Sequence, residues 1–311
     1  WKLEDAYAFA NVFADTTLEI HRCDKPTGKL AGRRLLFKEL GTLKETPVTA
    51  ERLKELADFL VQPKDGRLYR TLVNRVWAQL MGRGIVEPVD EMDRVPWSQD
   101  LLDWLASDFA TNGYDIKKLM YAILTSKTYQ LPSVGIKDSG LITAPDFVFQ
   151  GMVRRRLTAE QFADAVSVVF NPIYADSAIV FKQLPKTIKK EIPFTRASLV
   201  KRDPFLTALG RPTRETVNTS RNSQANLLQA LELTNGTTFN DALKSGAELW
   251  KAKYPSSDML VKELYKKSLG RAPLPKELAA AQKLIGPTPT TEGIQDLVWA
   301  MTLHPEFQLI Y

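Results

Sequence analysis

The acidic turn near residue 90 holds the side chains best suited to chemistry in this chain. Four carboxylates fall within seven residues: Glu87, Asp90, Glu91 and Asp93. An oxygen-rich turn can bind a hard cation such as calcium, which makes Glu87, Asp90 and Asp93 candidate metal ligands. Two facing carboxylates can instead hydrolyse a glycosidic bond, which makes Asp90, Glu91 and Asp93 candidate catalytic residues. The twelve-residue calcium-loop pattern is absent, and the same side chains can pair with arginines such as Arg83, so a structural role competes with both.

A basic segment occupies the middle of the chain. Residues 151–221 hold 13 Lys and Arg against 6 Asp and Glu, whereas the rest of the chain is close to neutral. Candidate ligand- or partner-binding residues precede the helical leucines near position 227: Arg211, Arg214, Arg221 and Asn222. Arginines beside a helix start can bind an anionic ligand, an acidic partner or haem propionates. Helix capping and a solvated basic face explain the same residues equally well, so both interpretations stay open.

Other kinds of site find little support in the residue types present. The chain has two histidines and one cysteine: His21, His304 and Cys23. Zinc needs four ligands, and a serine hydrolase needs a nucleophile turn beside its histidine, so neither site is predicted. Gly82-Arg83-Gly84 lacks the lysine of a phosphate-binding loop. Nucleic-acid binding ranks third among the functions considered, because the basic segment contains no known reader motif.

Helical periodicity dominates the elements that must position these residues. Apolar side chains recur at i, i+3, i+4 and i+7 behind the capping residues Thr49, Ser98, Asp115 and Thr158. With 44% hydrophobic residues and no apolar run of 18, the composition predicts a globular chain without a transmembrane segment. We expect a mainly α fold: an irregular multi-helix domain in two packed lobes with a long irregular crossover. The expected segments are an N-terminal segment 1–48, a helical lobe 49–170, a basic irregular crossover 171–204 and a C-terminal helical lobe 205–311.

One predicted helix combines polar and aromatic residues. Its apolar stripe is formed by Leu72, Val76 and Leu80. Asn74 and Arg75 are placed opposite this stripe, and a buried structural pair with Asp90 or Asp103 is expected, since arginine can bind a carboxylate in two places. The tryptophans of the region are spaced like core anchors: Trp77, Trp97 and Trp104. We therefore predict a structural rather than a ligand-binding role for this helix.

Ordered motifs along the chain resemble a known family. The first part contains Asn74-Arg-Val-Trp77, Gly82-Arg-Gly-Ile-Val-Glu-Pro88, Leu101-Leu-Asp-Trp-Leu-Ala106, Arg155-Arg-Leu-Thr-Ala-Glu160 and Asp164-Ala165. The second part contains Gly210-Arg-Pro-Thr-Arg-Glu215, Gln229-Ala-Leu231 and Trp299-Ala-Met-Thr-Leu-His-Pro-Glu-Phe307. Over residues 50–311 the chain resembles domain of unknown function 1553, which is found C-terminally in large exported proteins of planctomycete-type bacteria.

The resemblance implies a context rather than a reaction. Members commonly follow another domain of unknown function, and often a c-type cytochrome domain, so residues 1–43 are expected to be the end of a preceding domain. The chain contains no Cys-x-x-Cys-His, so it cannot attach haem covalently; apart from calcium at the acidic turn we expect no cofactor within it, and any haem belongs to a neighbouring domain or a c-type cytochrome partner.

This context implies a non-catalytic accessory domain outside the cytoplasm. Such a domain would dock a neighbouring domain of the same polypeptide or a cytochrome partner, or bind an anionic or polysaccharide ligand, through its basic surface. The alternative is an enzyme that acts on extracellular polysaccharide through the carboxylates of the acidic turn. Calcium is the only cofactor that the residues of this turn suggest.

Overall fold

The computed structural model describes residues 2–62, 66–136, 139–144, 146–174, 194–212 and 226–311. Backbone contacts divide the chain into two units: Trp1–Pro132 with Ile136–Met152, and Ser133–Gly135 with Val153–Tyr311. Helices dominate the described residues of both units, which confirms the predicted mainly α fold. Residues 175–193, the greater part of the expected crossover, lie outside the described residues.

The first unit consists of helices and one exposed hairpin. Its helices are α1 (Leu3–Ala10), α2 (Thr49–Leu60), α3 (Arg67–Met81), α4 (Gln99–Thr111) and α5 (Ile116–Leu124), with short 3-10 turns at Lys38–Leu40 and Ser139–Ile142. Strands β1 (Glu19–Arg22) and β2 (Lys25–Leu30) pair antiparallel. Cys23 and Asp24 between them both have positive φ, as a tight two-residue hairpin turn requires.

Capping residues set the ends of several helices in this unit. The Ser98 side chain accepts from the N–H of Leu101 at the start of α4, and Asp115 caps α5 in the same way. Gly82 ends α3 in the left-handed conformation, which costs a glycine little. The predicted cap Thr49 is instead the first helical residue of α2, after Val48 in the cap position, and its hydroxyl donates to Asp15.

The core of the first unit lies between α3, α4 and α5, and it corrects two predictions. The buried face of α3 is formed by Tyr69, Val73, Trp77 and Met81, so the predicted stripe of Leu72, Val76 and Leu80 is rotated by one position. Asn74 lies inside the core with 0% exposure. The core position predicted for Trp104 is wrong: this side chain is 59% exposed, because α4 buries the face of Leu102, Leu105 and Phe109 instead.

The second unit is a larger array of helices. They are α6 (Ala159–Val169), α7 (Pro204–Ala208), α8 (Leu227–Asn235), α9 (Thr237–Lys253), α10 (Ser257–Leu269), α11 (Pro275–Ile285), α12 (Thr291–Leu303) and α13 (Pro305–Gln308), with a 3-10 turn at Ala197–Leu199. Strand β3 (Arg155–Arg156) pairs antiparallel with β4 (Leu309–Ile310), which ties the start of the unit to its end.

A single large core holds the second unit together. Phe162, Phe239 and Phe307 form part of its centre, where Phe162 contacts both other rings. The predicted capping box at Thr158 is present: its hydroxyl accepts from the Gln161 N–H, and the Gln161 side chain accepts from the Thr158 N–H. In the part of the chain that the structure describes, no helix has both the length and the apolar character needed to span a membrane.

Candidate functional site

A single buried amide holds the acidic turn. Asn74 Nδ2 donates to the carbonyl oxygens of Val86 and Val89 at 3.0 and 2.9 Å. Its Oδ1 accepts from the N–H of Val86 at 2.9 Å. Buried backbone groups need such partners once water is excluded. Asn74 therefore fixes the path of the turn against α3.

Arg83 and Glu87 hold the start of the same turn. The Arg83 Nε donates to the Ile142 carbonyl at 2.6 Å, its Nη1 donates to the Gly84 carbonyl at 2.7 Å, and its guanidinium lies 3.8 Å from the Phe147 ring centre. Glu87 Oε2 accepts from the Gly84 N–H at 2.9 Å. Burial lowers the pKa of the Arg83 guanidinium, and the Glu87 carboxylate opposes that shift. These contacts connect the turn to Ile142 and Phe147.

The remaining carboxylates of the turn are paired or open to solvent. Asp90 Oδ1 lies 2.5 Å from Arg75 Nη2, and Glu91 Oε2 lies 2.5 Å from Arg94 Nε. Asp93 is exposed. Nowhere in the described ranges do three or more His, Cys, Asp or Glu side chains gather in a way that could hold a metal ion. The calcium and glycosidase hypotheses for this turn stay predictions.

Helix α6 carries two acidic residues that bind arginines from another segment. Glu160 and Asp164 lie at i and i+4, so both project from one face of the helix. The buried Asp164 accepts from Arg196 Nε at 2.7 Å and from the Ala197 N–H at 2.9 Å. Glu160 Oε1 lies 3.4 Å from Arg211 Nε. The two pairs hold residues 196–211 against α6.

Arg211 is the one residue of the predicted anion site that the structure describes. Its side chain is 13% exposed, and besides Glu160 it faces the carbonyl oxygens of Ala197, Ser198 and Lys201 at 3.3 to 3.5 Å. Through these contacts Arg211 stabilises the 3-10 turn. The other predicted residues of this site, Arg214, Arg221 and Asn222, lie outside the described residues.

A shallow recess in the second unit exposes a different arginine. Strand β3 and the start of α6 form one side of the recess, and α8 and the end of α13 supply Gln229 and Gln308. Four apolar residues also line it: Leu157, Phe162, Leu209 and Leu233. The recess is open to solvent, and the space that it encloses is far smaller than the roughly 300–1,000 Å³ of typical small-molecule sites. Arg156 is the charged side chain of the recess.

Arg156 faces two side-chain amides and not a carboxylate. Its Nη2 donates to Gln308 Oε1 at 3.0 Å, and its Nη1 donates to Gln229 Oε1 at 3.4 Å. Gln308 is held in place because its Nε2 donates to the Thr302 carbonyl at 3.0 Å. Among the described residues, no Asp or Glu forms an ion pair with Arg156. A guanidinium has five N–H groups, so this arrangement can accept an incoming anion.

The sequence contains a signal for this recess that residue types alone do not reveal. Arg156 and Gln229 lie within motifs of the family resemblance, Arg155–Glu160 and Gln229–Leu231, and Leu209 and Gln308 lie directly beside two others, Gly210–Glu215 and Trp299–Phe307. Their convergence could have been suspected from the motifs. The contact of Arg156 with Gln308, 152 positions apart, depends on the fold.

A second charged cluster in the same unit is closed by its own partners. Arg271 donates through Nε and Nη2 to Glu306 and through Nη1 and Nη2 to Glu277, at 2.7 to 3.0 Å. The hydrogen bond from Arg271 is the main reason that the pKa of Glu277 falls to about 2. The two carboxylates raise the pKa of Arg271 in return. This cluster joins α11 to α13, and each of its three charged groups is paired within it.

These features define a mainly α domain. Most of its described motif residues are paired with other residues of the chain, whereas Arg156 in the recess has no ion pair among the described residues. Residues 52–285 match the family described as PSD1, Protein of unknown function (DUF1553). The chain belongs to this family. A comparison with curated proteins and a comparison with solved structures each found no match.

Proposed function

We propose that this chain is a non-catalytic docking module that binds an anionic group of a partner at Arg156. The observation that carries the proposal is the pairing of Arg156 with two amides, in a recess, without an ion pair to any Asp or Glu among the described residues. A charged acceptor binds a guanidinium more strongly than a neutral amide does. An incoming carboxylate can therefore replace the contact to Gln229, which at 3.4 Å is long.

The size of the recess favours one carboxylate over an extended ligand. The recess is open to solvent and encloses little space, so a ligand can contact Arg156 there only through a small group. A polysaccharide would need a longer cleft, whereas a single acidic side chain or a C-terminal carboxylate needs only contact with the guanidinium at the edge of the recess. The proposal therefore favours a protein partner over a polysaccharide.

The proposed setting comes from the family resemblance. We propose that the chain works outside the cytoplasm, as part of a larger polypeptide that often carries a c-type cytochrome domain, and that the anionic group belongs to a neighbouring domain or partner. Haem propionates are carboxylates and match the chemistry of Arg156. The acidic turn supplies no observation in favour of the enzyme alternative, because Glu87, Asp90 and Glu91 each have a partner.

Nuclear magnetic resonance with acetate as the probe tests the proposal. The Nε–Hε signal of Arg156 is expected to shift with acetate until it saturates, and to respond less as sodium chloride screens the charge. Arg156→Gln should abolish the response. Arg154→Gln is the matched control, since Arg154 contacts Ser133 and the Tyr311 ring outside the recess. An equal acetate response of the recess signals in Arg156→Gln would reject the proposal.

A further inference from the structure

His304 joins α12 to α13 and caps the second of these helices. Its Nδ1 accepts from the Glu306 N–H at 3.2 Å. Its carbonyl oxygen accepts from the N–H groups of Phe307 and Gln308 at 3.0 and 3.2 Å. Helix α13 has four residues, and a single turn gains few hydrogen bonds for the dihedral angles that it fixes. The turn therefore depends on the contacts that His304 makes.

The hydrogen bond at Nδ1 determines which form of the ring can act as the cap. A ring nitrogen that accepts from an N–H group carries no proton, so the proton of the neutral imidazole lies on Nε2. Once the ring is protonated, both nitrogens are donors, and Nδ1 can no longer accept from Glu306. Histidine is the side chain whose charge ordinarily changes between about pH 5 and 8, and His304 is exposed to water. The cap is therefore present only in the neutral form.

Charged groups from three segments lie around His304. Glu277 of α11 and Glu306 of α13 are both bound by Arg271, which follows α10. Hydrogen bonds from Arg271 are the main cause that lowers the pKa of both carboxyls, and the charge of His304 lowers both further. One guanidinium and two carboxylates leave this cluster with a net charge of −1. A protonated His304 would neutralise the cluster, so the charged ring also has a favourable partner.

We infer that His304 is a pH-sensitive switch between two partners: the neutral ring caps α13 at the Glu306 N–H, and the protonated ring releases that N–H and binds the carboxylates of Glu277 and Glu306. Helix α13, which ends at Gln308, is therefore held less firmly at acid pH. The inference goes beyond the proposed function and is independent of it, because it concerns the partners of His304 and not those of Arg156.

Amide hydrogen exchange of the full chain at pH 7.5 and pH 5, with each rate divided by the intrinsic rate at that pH, tests the inference. The protection of the Glu306 amide should fall about fivefold in the parent, the size of a typical cap. His304→Asn keeps a side-chain oxygen that can cap the helix and does not titrate, so its protection should be equal at both pH values. His304→Ala has no cap at either. The parent should match His304→Asn at pH 7.5 and His304→Ala at pH 5.

His21→Asn is the matched control. His21 is the other histidine of the chain and lies exposed on β1, so this variant should keep the pH dependence of the parent. Thermal unfolding checks that the three variants fold. Protection of the Glu306 amide that stays constant in the parent would overturn the inference. A fall of the same size in His304→Asn would also overturn it, because another group would then be responsible.

Nuclear Overhauser contacts test the second partner of the switch. At pH 5 the ring protons of His304 should approach the Cγ protons of Glu277, and these contacts should weaken at pH 7.5. The neutral ring should show the nitrogen shifts of the form with its proton on Nε2. A ring that releases the Glu306 N–H without approaching either carboxylate would overturn the exchange of partners.

Discussion

Replacement of Asn74 by alanine should destabilise the first unit strongly. Asn74 is fully buried and satisfies the N–H and carbonyl of Val86 and the carbonyl of Val89. Alanine leaves these three groups without a partner, and each buried unsatisfied group costs about 1–3 kcal/mol. Partial relaxation and entry of water recover part of this cost. We expect Asn74→Ala to lower the free energy of unfolding by about 3 kcal/mol.

Urea unfolding followed by tryptophan fluorescence measures this loss, since Trp77 lies in the same core. Hydrogen exchange should show that the Val86 amide loses protection more than the amides at the centre of α4. Asn112→Ala is the control, because among the described residues its side chain bonds to Asp108 alone, one turn away, and its cost should be about 0.5 kcal/mol. A loss below about 1 kcal/mol for Asn74→Ala would refute the view that this amide holds the turn.

Two other substitutions test the turn and the charged cluster. A Cβ on Gly84 would lie 2.2 Å from the Val86 carbonyl oxygen, so Gly84→Ala should cost about 2 kcal/mol or more in urea unfolding, whereas Gly32→Ala has open space and should cost under about 0.5 kcal/mol. Equal costs would exclude the clash. The pKa of Glu277 is lowered to about 2 by Arg271, so its stabilisation is complete above about pH 5 and is lost as the pH falls towards 2. Partial exposure limits this contribution to about 1 kcal/mol. In Glu277→Gln the unfolding temperature should therefore fall less between pH 6 and pH 3 than in the parent, and an equal fall in both proteins would contradict this prediction.

The predicted elements were most accurate where short-range contacts decide the structure. Ser98, Asp115 and Thr158 cap their helices because each side chain accepts from an N–H two or three positions away, which the order of residues alone specifies. The face of α3 was less predictable. Two apolar ladders run along this helix, and the one with Tyr69 and Trp77 is buried, since the aromatic rings bury more apolar surface than the leucines.

The site was less predictable because its contacts join distant positions. The sequence singled out Arg211 by its type and neighbours, but its partner Glu160 lies 51 positions earlier, and that pair decides how exposed the arginine is. Arg156 lies within a motif of the family resemblance but was assigned no role, because the neighbouring sequence does not show that Gln229 and Gln308 flank it. A sequence shows the type of each residue, but whether an arginine has an acidic partner depends on the fold.

The neighbours of Arg156 allow the binding and structural interpretations to be separated by one substitution. Gln229 Oε1 accepts from Arg156 at 3.4 Å, so Gln229→Glu would place a carboxylate beside the guanidinium. If the arginine only braces the fold, as Arg211 does with Glu160, the new ion pair should raise the free energy of unfolding by up to about 1 kcal/mol and change nothing else. If the recess binds an anion, the same carboxylate should occupy the site and abolish the acetate response of Arg156. A Gln229→Glu protein that folds, yet still responds to acetate like the parent, would show that the anion does not bind between these side chains.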